Sequence, residues 1–147
     1  MFTSFNPSYA YNLNNINMYT PKQRETVMNM AKWLGSMSWD IFSTLTYRYD
    51  IKAKQNYKIM TTLEKYLQAL KKPFKMFWVT EFTNYNTHNH LLVKGDIVGD
   101  INYHLRSKNL TGKHVKHLPY EKEASIYVSK FICDRKTNWN ISESTDV

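Results

Sequence analysis

Two β-rich runs, Phe74–Phe82 (FKMFWVTEF) and Thr87–Lys94 (THNHLLVK), are separated only by the turn-like Thr83–Asn86. Runs of β-branched and aromatic residues joined by so short a connection predict an antiparallel hairpin. A hairpin cannot bury its apolar face alone, so the flanking chain must supply further strands and helices to cover it. Pro73 stops any helix entering from upstream, and residues 55–71 before it carry Ile59, Leu63, Tyr66, Leu67 and Leu70 at helical spacing. Ile41–Tyr49 (IFSTLTYRY) reads as another strand. An earlier helix begins with Thr20 as cap, Pro21 in the first turn and Gln23 completing a capping box; Val27, Met30, Ala31 and Leu34 are its apolar stripe, and Gly35 ends it. Downstream, Asp100–Leu105 predicts a short helix, Gly112–Leu118 a strand and Glu121–Cys133 a helix begun after Pro119. The order β-α-β-β-(α)-β-α implies an α+β domain, a central antiparallel sheet with helices packed on one face.

The 147 residues suffice for one domain, and 42 % apolar against 22 % charged residues excludes intrinsic disorder. Residues 1–19 are expected to be a flexible arm, 20–134 the domain, and 135–147 a polar, fraying tail. A single cysteine, Cys133, excludes an intrachain disulfide framework. No basic flank followed by an apolar stretch opens the chain, so it is not expected to be secreted. No apolar run reaches transmembrane length, so no membrane partner is expected. None of the four glycines begins a phosphate-binding G-x-x-x-x-G-K loop, which argues against ATP-driven chemistry. Twenty Lys and Arg against twelve Asp and Glu leave a net charge of +8, which favours a polyanionic partner.

Chemistry concentrates in two clusters. His88 and His90 are two apart on a strand and so share a face. Hairpin pairing puts Glu81 opposite or diagonal to His88, about 5 Å away and close enough to share an ion. Two nitrogens and a carboxylate with open positions suit a catalytic metal, Mn²⁺ or Mg²⁺ included; two surface histidines on an edge strand is the plainer alternative. In the last helix, Ala124, Val128 and Phe131 form the buried stripe, Tyr127 sits at its margin, and Lys130 lies one turn on. A tyrosine anchored by packing beside an ammonium group can act as a nucleophile; a packed tyrosine and a solvated lysine is again the plainer alternative.

Taken in order, 42-FSTLTY-47, Glu81 with 88-HNH-90, and 127-YVSK-130 resemble the motifs of the HUH endonucleases, specifically the single-tyrosine rolling-circle replication initiators of viruses, phages and plasmids. The resemblance covers roughly residues 41–133, and Asn89 departs from the apolar residue usual between the two histidines. It implies a sheet of about five strands of RRM-like type, with Glu81, His88 and His90 as metal ligands, Tyr127 as nucleophile and Lys130 as its helper. It also implies nicking and rejoining of single-stranded DNA through a 5′-phosphotyrosyl link and a free 3′-hydroxyl, at an origin strand or hairpin. Expected DNA contacts are Tyr47, Arg48, Tyr49, Lys113 and Lys116. A separate helicase and a host polymerase would be partners, in the host cytoplasm, or in the nucleus of a eukaryotic host. The competing readings are an HUH tyrosine transposase and a non-catalytic RRM-like module that binds single strands on its sheet.

Overall fold

The computed structural model describes residues 19–82, 87–134 and 137–144, except the side chains of residues 112–114. Its elements run α1 (Pro21–Gly35), β1 (Ile41–Tyr47), α2 (Ala53–Ala69), β2 (Lys75–Phe82), β3 (Thr87–Lys94), α3 (Val98–Ser107), β4 (Thr111–Pro119), α4 (Lys122–Ser129) and β5 (Trp139–Glu143). The five strands make one antiparallel sheet in the order β4-β1-β3-β2-β5, and this is an α+β fold. No helix among the described residues is long and apolar enough to cross a membrane.

Local chemistry sets several boundaries. Thr20 caps α1 as expected: its hydroxyl accepts from the Gln23 amide at 3.1 Å, and the Gln23 side chain accepts from the Thr20 amide at 2.9 Å. The β2–β3 pairing follows the expected hairpin register, with Glu81 opposite His88 and Trp78 opposite Leu91; its turn, residues 83–86, lies outside the described residues. After β3, Gly95 adopts φ 104°, and its amide donates to Asp40 Oδ2 at 2.8 Å. A Cβ there would strike the Pro73 carbonyl oxygen, so only glycine fits this close approach.

Strand alternation divides the core into two layers. Leu45, Met76, Trp78, Leu91 and Val93 point to one side, where they meet Met60, Leu63 and Leu67 of α2 and Ile101 and Leu105 of α3. Phe42, Phe77, Val79 and Leu92 point to the other, against Leu34 of α1 and Ala124, Tyr127 and Val128 of α4. Helices therefore cover both faces, which corrects the expectation of one. The cause is visible in the central strands: β2 and β3 are buried along nearly their whole length, the mark of a sheet covered on both sides.

The region expected to be a polar tail holds β5, whose Val79↔Trp139 to Lys75↔Glu143 register closes the β2 edge. Its half-exposed WNISE sequence lacks a strand's apolar alternation, because an edge strand packs little of its surface. Helix α4 is shorter than the expected Glu121–Cys133: it ends at Ser129, with Lys130 at its C-cap.

Candidate active site

Sheet register gathers the site. Thr44 lies opposite His90 and Thr46 opposite His88 across β1 and β3, while Val79 and Glu81 face the same two histidines from β2. These side chains therefore share the face covered by α1 and α4. The Thr44 hydroxyl is 3.2 Å from His90 Nδ1, and the Thr46 hydroxyl is 2.8 Å from His88 Nδ1. The two rings lie 6.3 Å apart, 26° from parallel. Such partners on the inner nitrogen fix ring orientation and tautomer, leaving Nε2 as the reactive atom. His90 Nε2 stands 2.9 Å from Glu81 Oε1. In this arrangement Glu81 closes on His90, and among the described residues no three His, Cys, Asp or Glu side chains are posed around a common metal position.

Helix α4 brings Tyr127 to the same place. Its ring meets His90 edge-on at 5.2 Å between centroids and Phe42 edge-on at 5.9 Å. Phe131, just past the helix, stacks on His90 at 5.1 Å and 14°. The Lys130 ammonium sits over the Tyr127 ring at 4.3 Å and over the Phe131 ring at 5.0 Å, so it faces the ring and not the hydroxyl edge alone. The N-terminal side of α1 holds the end of this helix: the Tyr19 hydroxyl donates to the Lys130 carbonyl at 2.6 Å.

Electrostatics follow from this crowding. Burial pulls on Glu81 in the upward direction, but the hydrogen bond from His90, with the charges of His90, His88 and Lys130, holds its carboxyl below the usual value. Burial lowers the His88 pKa against the pull of Glu81, and it lowers Lys130 likewise. The site thus carries one anionic carboxylate, a histidine biased toward neutrality, and a cation one helical turn from a packed phenol.

The structure therefore brings together Glu81, His88, His90, Tyr127 and Lys130. The expected DNA contacts divide. Tyr47 is 5 % exposed and its hydroxyl donates to Asn56 Oδ1 at 2.7 Å, so it belongs to the core and presents no stacking face. Arg48 and Tyr49 do meet solvent, both hydrogen-bonded to the Asn109 side chain. Lys116 is exposed and pairs with Thr44, on the histidine face about two strand spacings, ~10 Å, from His90. Lys113 lies on β4, its side chain outside the described residues. His117, expected to be solvated, instead bridges Ser43 at 2.6 Å and Asn102 at 2.9 Å on the other face.

Sequence reasoning missed Thr44, Thr46 and Phe131 as neighbours of the histidines. Alternation in FSTLTY does carry a signal, since Thr44 and Thr46 have the same two-residue spacing as His88 and His90. It also missed what Asn89 does. That side chain is fully buried on the far face, where its amide donates to Tyr47 Oη at 3.1 Å and Asn56 Oδ1 at 2.8 Å, and its oxygen accepts from Thr80 at 2.8 Å. A polar residue between the histidines is thus a buried tie, and it leaves their own face undisturbed.

The family model of the replication-associated protein ORF2 matches residues 40–137, which span β1 to the end of α4 and every residue of the site. The chain belongs to this family. Neither the comparison with curated proteins nor that with solved structures gives a significant match. Membership places the chain among DNA-replication proteins, consistent with an initiator acting at an origin.

Proposed function

We propose that this replication-associated protein nicks and rejoins single-stranded DNA at an origin, with Tyr127 as the nucleophile. The observation that carries the reading is the packing of Tyr127 against His90, in one layer with Glu81, His88 and Lys130. The replication family favours an initiator over a transposase. A module binding strands on its bare sheet is disfavoured, because Phe42, Phe77, Tyr47 and Trp78 are buried beneath helices on both faces.

Glu81, His88 and His90 form a mixed nitrogen and oxygen donor set suited to Mn²⁺ or Mg²⁺, and the threonine partners on Nδ1 suit histidines that ligate through Nε2. Holding an ion there requires Glu81 to release its hydrogen bond to His90, a side-chain rotation of a half-buried group. When bound, the ion would supply Lewis-acid polarisation of the scissile phosphate. Tyr127 Oη forms a bond to phosphorus while the bond to the 3′ oxygen breaks; the phenolic proton is lost and the leaving oxygen gains one. The products are a 5′-phosphotyrosyl link and a 3′-hydroxyl, and the reverse attack rejoins the strand without ATP. Packing by Phe42, His90 and Phe131 holds the ring, and the Lys130 ammonium offsets phenolate and phosphate charge. The 3′-hydroxyl would prime a host polymerase, with unwinding left to a separate helicase.

The test is incubation with labelled single-stranded DNA, or a hairpin, from the protein's own replicon, with and without Mn²⁺. The wild type should leave an adduct on the 5′ side of the break, found by mass spectrometry on Tyr127. Tyr127→Phe should bind DNA but not cleave, and Lys130→Ala should cleave slowly. A nucleotide on Tyr120, on Tyr103 or on no tyrosine overturns the assignment.

A further inference from the structure

On the opposite side of the sheet from the histidines, a cleft of about 160 Å³ opens between α2 and α3. Its walls include Lys58 from α2, His104 and Lys108 from α3 and its C-cap, and Leu110. Both lysines are exposed, and among the described residues neither takes part in an ion pair. His104 is only 6 % exposed, yet its Nε2 has no hydrogen-bond partner. Leaving such an atom unpaired costs about 1–3 kcal/mol, so a polar group reaching it from the cleft is favoured. No carboxylate lines the cleft, so two ammonium groups select an anion. At roughly 30 Å³ of liquid per water molecule, the space takes about five waters, enough for a phosphate group with part of its hydration.

The cleft is joined to the catalytic end of the sheet. Thr46, the partner of His88, is followed by Tyr47, Arg48 and Tyr49. The Arg48 amide donates to the carbonyl of Leu110 in the cleft wall at 2.9 Å. Asn109, between Lys108 and Leu110, accepts from the Arg48 guanidinium and donates to the Tyr49 hydroxyl at 2.9 Å. Tyr49 is 52 % exposed, with the Arg48 guanidinium 6.0 Å from its ring centre. An exposed ring, a guanidinium and two ammonium groups thus follow one another from the end of β1 to the cleft, the pairing of aromatic and basic groups that tracks a single strand.

We infer that the α2–α3 cleft is a phosphate subsite for the DNA strand as it leaves the catalytic end of the sheet past Tyr49 and Arg48. The inference rests on the reading of the chain as acting on single-stranded DNA. Fluorescence anisotropy of labelled dT30 between 50 and 200 mM NaCl tests it, with the full chain and its Lys58→Ser/Lys108→Ser double variant. Two lost phosphate contacts at ~0.7 each lower the log–log salt slope by about 1.4, so the variant loses roughly sevenfold less affinity over that range. An unchanged slope overturns the subsite. The His104 ring resonances should move on adding dT30; movement with inorganic phosphate alone would make this a small-anion site and overturn the strand path. Neither readout needs cleavage. A wild type that shows the slope difference but forms no adduct retires the nicking reading and keeps the subsite, whereas an unchanged slope beside normal nicking retires the subsite alone.

Discussion

Replacing Asn89 by Ala removes three hydrogen bonds from a site that is fully buried, those to Tyr47, Asn56 and Thr80. Each is worth about 1 kcal/mol net, and the groups left behind have no water to turn to, so the loss should be about 3 kcal/mol. In a domain of this size roughly 4 °C accompanies each kcal/mol, which puts the fall in melting temperature near 12 °C. Urea unfolding followed by circular dichroism measures it, with the midpoint moving and the slope unchanged. Tyr47→Phe touches the same network through one hydroxyl, which donates to Asn56 and accepts from Asn89. Its cost alone should be about 1–2 kcal/mol. The double variant should fall short of the sum by at least ~0.5 kcal/mol, because the two side chains share a bond. An Asn89→Ala cost below about 1 kcal/mol, or strict additivity with Tyr47→Phe, would refute the claim that this network ties β1, α2 and β2 to the histidine strand.

Three further outcomes are expected. Mn²⁺ at 100 times its dissociation constant should stabilise the wild type by about 2.7 kcal/mol; His88→Ala and His90→Ala should abolish the shift in a thermal melt, and an unchanged response in both would sink the ligand assignment. Burial, and then the charge of Arg106, hold the His117 pKa below its usual 6.5; the unfolded chain therefore binds more protons just below pH 6.5, stability falls as pH drops through that window, and His117→Gln should flatten the denaturation midpoint there. Gly95→Ala should destabilise by at least about 2 kcal/mol, since it combines positive φ with a collision at Pro73; an alanine variant melting like the wild type would refute the close-approach argument.

The amino-acid sequence by itself determined the elements whose causes are local. The Thr20 capping box, the Pro73 stop and the β-branched runs act within a few residues, so α1, α2, β2 and β3 lie within two residues of expectation wherever they are described. The Glu81–His88 pairing was also legible, because strand alternation together with a short hairpin leaves few registers. Long-range packing decided the rest. Burial of β2 and β3 on both sides called for helices on both faces, and the exposed edge of β2 recruited the weakly patterned β5. Tyr47 lies on the face opposite Thr44 and Thr46, so the same strand that orients the histidines sends its tyrosine into the Asn56–Asn89 network and away from solvent. Tyr127 and His90 meet only because α4 packs on the layer holding Phe42 and Leu92; that contact joins residues far apart in the chain, and only the assembled core holds them together.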